Sequence, residues 1–464
     1  MRDLLVTAIV LAALIYGFRR PWVGVTLWTW LSIMNPHRMA YGFAYDAPFA
    51  AMAAGGTLLA LLLTKDPVRL PKSGPVVVLL LFIVWTSITT LFAYFPGESL
   101  DQLIKVFKIQ LMTLVALAVL HDKKHILVFV GINTLSLGLL SVKGGIHTIL
   151  TGGGGRVWGP GGFIGGNNEF GLAMLMIIPF LYFAYLQFKP TWMRLGLIGA
   201  ILLATIAVLG TQSRGAFLAI AAMGAVLWWR APRKLLTGTL IVCTALVALE
   251  VMSEQFSERM ATIKTFDEDT SAVGRIYAWQ TAFNIANQRP FGAGFAMYEQ
   301  VISDRYGAGL DFGGMIDDKI LQARAAHSIY FQVLGEHGWV GLVLFMGVFV
   351  LTWRVGSSLR KRTKGQAELQ WVYQLAGMCQ VSLAGFAVGG AFLSLAYFDL
   401  PYNILIILVV ADRWLALQPA VLRGTAPAGN GAPDLPTAPP SPAPAPPPTQ
   451  PAKRGTGQPT RGRT

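Results

Sequence analysis

The amino-acid sequence predicts an all-α polytopic membrane protein of about 12 transmembrane helices. Three observations carry that fold class. Of 464 residues, 54% are hydrophobic and only 13% are charged, about half the ~25% charge of a soluble domain. Apolar runs recur along most of the chain, many near the roughly 17–25 residues that span a bilayer as a helix, and the mean hydropathy is +0.54. The basic residues behind a net charge of +14 gather in short loops between those runs: Lys65, Arg69 and Lys72; Lys123 and Lys124; Lys189 and Arg194; Arg230, Arg233 and Lys234; Arg360, Lys361, Arg362 and Lys364. Such clusters mark cytoplasmic loops under the positive-inside rule. The basicity therefore reports topology and not a nucleic-acid partner.

Taken in order, the apolar runs lie at about 4–18, 21–34, 49–64, 75–95, 107–120, 125–142, 171–188, 195–212, 214–229, 235–252, 328–354, 371–395 and 402–418. The first two are short and separated by Arg19-Arg20-Pro21, so the count is 12 or 13, and only the even count places both termini in the cytoplasm. Placing the basic loops inside puts 96–106, 143–170 and 253–327 on the other side. Four regions follow: N-terminal transmembrane helices over 1–252, a large periplasmic loop over 253–327, C-terminal transmembrane helices over 328–418, and a tail over 419–464. That tail ("PTAPPSPAPAPPPTQPAKRG") is too poor in apolar residues to fold. Residues 4–18 lack a small-residue cleavage site, so no signal peptide is expected. Cys243 and Cys379 sit in separate apolar runs and read as small core residues. No inverted repeat is visible.

The large loop is expected to be partly helical. In "GRIYAWQTAFNIANQRPFGAGF", Ile276, Trp279, Phe283 and Ala286 form one helical stripe. Pro290 ends that helix, and Gly292 and Gly294 make a turn. The segment "TGGGGRVWGPGGFIGGNNEFG" in 143–170 is glycine-rich, which permits positive φ and close backbone approach to a bulky ligand.

Several polar residues sit where apolar packing does not require them. Arg214, in "GTQSRGAF", joins two apolar runs without a real loop; it either snorkels to headgroups or offers its rigid fork of donors to phosphate oxygens. Arg275 opens the loop helix, against the macrodipole preference. Arg289 at the other end fits the dipole, and Arg156 lies in the glycine-rich segment; surface charge is the plain alternative for both. His327 stands where the large loop meets the membrane. Glu336 and His337 fall about 14 Å further along if the helix is continuous at 1.5 Å per residue, and ionisable groups in such a segment are expensive. Histidine is a natural general base for a hydroxyl. Ten residues turn a helix by about 280°, so one histidine, not both, would serve. No HExxH, clustered cysteine and histidine, P-loop or dinucleotide-binding glycine motif appears. No metal or cofactor is expected.

These residues together resemble the O-antigen ligase and polymerase superfamily of bacterial inner membranes, the Wzy/WaaL-like proteins. The resemblance rests on Ser213-Arg214-Gly215, on Gly274-Arg275 with Trp279, and on His327-Ser328 followed after nine residues by Gly338 and then Gly341. "GNNEFG" and "RPFGAGF" add to it, and it covers roughly residues 1–420. "MNPHRMAYGFAYDAPFA" further resembles a subgroup described as exosortase-associated O-glycosylation ligases.

The resemblance implies a GT-C-type glycosyltransferase, independent of metal. Such an enzyme takes a glycan from undecaprenyl diphosphate on the periplasmic face of the Gram-negative inner membrane and transfers it, with inversion, to a lipid A–core hydroxyl in lipopolysaccharide biosynthesis. Arg214, Arg275 and His327 would be catalytic, and Arg289, Arg156, Glu336 and His337 would contact substrate. The same residues would serve an O-antigen polymerase or a protein O-oligosaccharyltransferase. An anion transporter or flippase is the reading from a different class; polar groups gathered on one side favour the enzyme. Its partners would be the lipid-linked donor, the acceptor and membrane lipids.

Overall fold

The computed structural model describes residues 1–230, 234–235, 238–239, 270–307 and 325–418. Among these residues there are helices and connecting turns and no strand. Apolar side chains dictate this, because in a bilayer only a helix satisfies its own backbone groups within one segment. The described helices, numbered in chain order, are α1 (Arg2–Arg19), α2 (Pro21–Met34), α3 (Phe49–Leu63), α4 (Gly74–Leu91), α5 (Pro96–Val119), α6 (Lys123–Leu150) and α7 (Asn167–Gln187). They continue with α8 (Thr191–Gly210), α9 (Arg214–Arg230), α10 (Thr270–Gln288), α11 (Gln300–Tyr306), α12 (Ile329–Thr363), α13 (Gln370–Gly389) and α14 (Asp399–Ala416). Six of them, α4 to α8 and α12, are long and apolar enough to cross a membrane, and so is α13 taken with its flanking turns, Ala367–Phe392. Helices α3 and α9 are apolar but shorter. The chain is a multi-pass membrane protein. The apolar run at 235–252 and the tail at 419–464 lie outside the described residues, apart from 235 and 238–239.

The Arg19-Arg20-Pro21 interruption separates two helices, as proline at the first position of α2 dictates. Elsewhere helices run further than hydropathy alone suggested. Residues 96–106, expected as an external loop, are the first turns of α5, opened by Pro96 with Glu98 in the first turn. Residues 143–150, placed in the next external loop, are the last two turns of α6. In both cases polar residues on one helix face read as loop.

Helix α14 is buried nearly all round, as expected of a helix apolar on every side. It packs against α2, α5, α6, α12 and α13, while α4 packs on α12, α7 and α9 on α13, α6 on α8, and α10 on α12. Buried polar pairs link this core: Asn403 donates to Asn133 at 2.8 Å, and Ser382 to the Met176 carbonyl at 2.8 Å.

Contacts between loops sort them into two groups. At one end Arg20 pairs with Asp66 at 3.2 Å, Arg413 donates to the Arg69 carbonyl at 2.9 Å, Arg362 pairs with Asp412, and the Lys123 ammonium lies over Trp371 at 5.0 Å. These are the basic loops. At the other end Asn35 reaches Gly161, Asn167 donates to Thr211, Tyr94 to Ala293, and Ser32 to Asp399. The second group contains the candidate site.

Candidate functional site

Three separated stretches meet on the turn after α13. Residues Gly390–Phe392 form one 3-10 turn there. A Cβ on Gly215 would sit 3.3 Å from the Phe392 Cβ, so the backbone beside Arg214 lies directly against this turn. Phe392 also lies 6.4 Å from the Trp279 ring on α10. Ser394 Oγ accepts the His327 N–H at 3.1 Å. The SRG, GR–W and HS elements, far apart in sequence, thereby share one support.

Two anchors fix the backbone at His327. The Trp279 indole donates to the Ala326 carbonyl at 2.6 Å, while its ring stacks on Phe331 at 5.1 Å and 8°. Together with the Ser394 bond these hold half-buried His327 at φ +43°, a left-handed conformation worth about 1–2 kcal/mol of strain in an L-residue. Strain of this kind persists where surrounding structure over-determines it. Arg275 stands one helical turn before Trp279 and on the same face, half-buried. It lies in the second turn of α10, which begins at Thr270; the expectation that it opens the helix is corrected. Arg214 is the first residue of α9, and its side chain lies outside the described set.

The expected stripe on α10 is displaced by about one residue. Its buried apolar side chains are Val273, Tyr277, Ala278, Ala282, Ile285 and Ala286, so of the expected stripe Ala286 is buried, Ile276 and Trp279 are half-buried and Phe283 is exposed. The aromatic members still pack: Phe283 meets Trp339 edge-on at 5.7 Å. They face α12, and the smaller residues face the cluster of Ala293, Met297, Ile302 and Tyr306.

Glu336 and His337 belong to a different environment. The helix carrying them is not continuous: Gly338, at φ +68° and ψ −171°, breaks α12 just after His337. The reason lies in "RPFGAGF". The Ala293 and Gly294 N–H groups donate to the Gly335 and Glu336 carbonyls at 2.9 and 3.0 Å, satisfying acceptors that a helix end leaves orphaned. A Cβ at Gly338 would meet the Pro290 carbonyl oxygen at 2.2 Å, so only glycine admits the crossing. Arg289 holds this turn from the other side. It donates to the Gly292 and Phe92 carbonyls at 3.0 and 2.7 Å, and its guanidinium lies 4.1 Å from the Tyr94 ring centroid.

Both ring nitrogens of His337 have internal partners, Nδ1 with Thr89 Oγ1 at 2.7 Å and Nε2 with the Tyr397 hydroxyl at 2.9 Å. Tyr397 donates onward to Glu336 at 2.5 Å, and Gln332 and Tyr298 donate to the same carboxylate at 3.3 and 3.4 Å. Burial, and after it the Glu336 carboxylate, pushes the Tyr298 phenol well above its ordinary range, so it remains a donor. Glu336 and His337 are 1% and 0% exposed; the network seals the end of a helix.

Arg156 Nε donates to Gln212 at 3.2 Å, and Gln212 donates to the Gly153 carbonyl at 3.2 Å. The glycine-rich segment is thus tied to the α8–α9 corner, two residues from Arg214. Ser394, Tyr397, Gln332 and Tyr298 escaped the sequence reading, because Ser394 sat in an apolar run and none belongs to a spaced motif. The expectation of no clustered ligands is also corrected, since His121, Asp122 and His125 offer ligand atoms within 4.8 Å of one another at the other end of α6.

No curated protein matches the chain. Residues 1–184 match a family of unknown function (DUF5935), and residues 198–346 match the O-antigen ligase family. The second match contains Arg214, Arg275, Trp279, Arg289, His327, Glu336 and His337, so over this stretch the chain is similar to the O-antigen ligase family, in line with the resemblance its motifs carry.

Proposed function

We propose that the protein transfers a glycan from undecaprenyl diphosphate to a lipid A–core sugar hydroxyl on the periplasmic side of a bacterial inner membrane. The observation that supports this reading is the meeting of the Arg214, Arg275 and His327 elements on the single turn at 390–394. Two guanidiniums and one imidazole on converging backbones suit displacement of a diphosphate by a hydroxyl.

In this mechanism Arg214 and Arg275 grip the diphosphate. Their charge stabilises the negative charge that builds on the departing oxygen, an electrostatic role for preorganised donors. The His327 imidazole accepts the proton of the acceptor hydroxyl as its oxygen attacks the anomeric carbon. The C–O bond to the diphosphate breaks as the new glycosidic bond forms, and configuration inverts. Fixing the His327 backbone from both sides serves orientation, which carries a large share of such barriers. Arg289, Glu336 and His337 shape the wall behind the site.

The test is incubation of the purified protein with undecaprenyl-diphosphate glycan and, in separate reactions, lipid A–core, a free glycan or a protein acceptor. Transfer to lipid A–core supports the reading. Transfer only to glycan or only to protein makes the enzyme a polymerase or a protein oligosaccharyltransferase, and release of untransferred donor across a bilayer makes it a flippase.

A further inference from the structure

A cleft of about 220 Å³ lies at the far end of α6, lined in part by Lys143, His147, Arg156, Trp158 and Phe170. Every residue lining it falls within residues 1–184, the stretch that matches only a family of unknown function. Lys143 and His147 are four residues apart on α6 and therefore share one face. Arg156 approaches from the glycine-rich segment, where Gly152 and Gly153 adopt φ +57° and +79° to fold the chain back. A Cβ at Gly155 would come within 2.9 Å of His147 Nε2, so this glycine lets the loop close on the imidazole. Among the described residues no carboxylate comes within ion-pair distance of Lys143, His147 or Arg156.

The helix macrodipole accounts for a histidine in the last turn of α6. It does not account for Lys143, nearly two turns earlier, or for Arg156 on a loop. Cations of one sign around a low-dielectric cleft focus a positive potential into it and favour an anion. Trp158 lines the same cleft and is 60% exposed. An indole held open to solvent beside cations offers a flat apolar face, which suits the C–H face of a sugar ring. The volume sits below the ~300–1,000 Å³ of pockets for drug-sized ligands and suits one charged sugar.

We propose that this cleft binds an anionic saccharide of the acceptor, with Lys143 and Arg156 on its phosphate or carboxylate and Trp158 against its ring. The N-terminal region thereby supplies acceptor recognition to the ligase domain. The Arg156–Gln212 bond and the Val157 N–H to Gly210 carbonyl bond at 3.2 Å couple the cleft to the α8–α9 corner. The identity of the ligand as acceptor depends on the ligase reading; the existence of an anionic-sugar site does not.

The full chain in detergent is titrated with a phosphorylated core oligosaccharide, with the same oligosaccharide after phosphatase treatment, and with undecaprenyl diphosphate. Lys143→Gln and Arg156→Gln each weaken binding of the phosphorylated probe tenfold or more, and Trp158→Ala weakens both saccharides. Undecaprenyl diphosphate binding is unchanged. Lys143 is exposed, so Lys143→Gln keeps the test valid if Arg156→Gln misfolds. Unchanged affinity in Lys143→Gln overturns the proposal. Equal weakening of undecaprenyl diphosphate overturns it in favour of the donor, and displacement of the saccharide by phosphatidylglycerol nanodiscs overturns it in favour of a lipid headgroup. Variant-sensitive saccharide binding without any glycan transfer leaves the cleft standing and removes the ligase reading alone.

Discussion

His327 and His337 lie ten residues apart in one motif and occupy opposite environments. His327 is half-buried at a left-handed turn, with its backbone clamped by Trp279 and Ser394. His337 is fully buried with Thr89 and Tyr397 on its two ring nitrogens. A base must present a ring nitrogen to a substrate proton, and an imidazole with both nitrogens engaged inside the bundle has none to present. The difference teaches that the second half of the motif is built into the architecture, and under the proposed mechanism it leaves the chemistry to the first half.

Substitution of His327 by alanine is the strongest way to break this comparison. Its expected cost is about 10²–10⁴-fold in turnover with donor binding kept, read by single-turnover rates at saturating donor. Full activity in His327→Ala with loss of activity per folded molecule in His337→Ala would transfer the role of base. Arg275→Ala is expected to lower kcat/KM by about 10²-fold, in the range for loss of one preorganised donor. Arg275→Lys recovers little, since lysine lacks the planar fork; full recovery by lysine would reduce the arginine to a point charge.

On the architectural side the readout is stability. Gly338→Ala places a Cβ 2.2 Å from the Pro290 carbonyl oxygen at φ +68°, so the protein should melt several degrees lower in detergent and accumulate poorly. His337→Ala removes two buried hydrogen bonds, worth about 1 kcal/mol each and more where a partner is left unsatisfied. Thermal melting falls while turnover per folded molecule stays near wild type. Tyr298→Phe removes one long bond to Glu336 at 3.4 Å, and its cost is expected to stay below about 1 kcal/mol. A drop in turnover without a drop in melting temperature, in either of the last two variants, would move Glu336 and His337 into the chemistry.

Hydropathy made most of the helices legible, because apolar side chains in a bilayer leave the backbone little choice. It misread the start of α5, where Glu98, Asp101 and Lys105 looked like loop. The signal for helix was present: Pro96 at the first position and Ser99, Val106, Ile109 and Gln110 on a buried face. The motifs marked Trp279 and His327, which meet on one turn, but said nothing of Ser394 or Tyr397. Those residues act through tertiary contacts some sixty positions downstream, 61 for the Tyr397–Glu336 bond, and no local period encodes such a pairing. The break at Gly338 was hidden too, since the apolar run continues through it and the turn that demands it lies near Pro290.

The numbering of that last contact fixes an order of events during synthesis. Phe92 and Tyr94, the turn at 289–294 and the carbonyls at 335–336 are bonded in succession, and they leave the ribosome in the same succession. The donors that close the first half of α12 exist before the acceptors do. A nascent chain that has already folded 270–294 onto the end of α4 offers each new carbonyl a waiting partner, so this helix end need not enter the bilayer with bare oxygens. Moving "RPFGAGF" downstream of α12 by circular permutation would keep every contact and reverse that order, which makes the yield of inserted protein a measure of biogenesis alone.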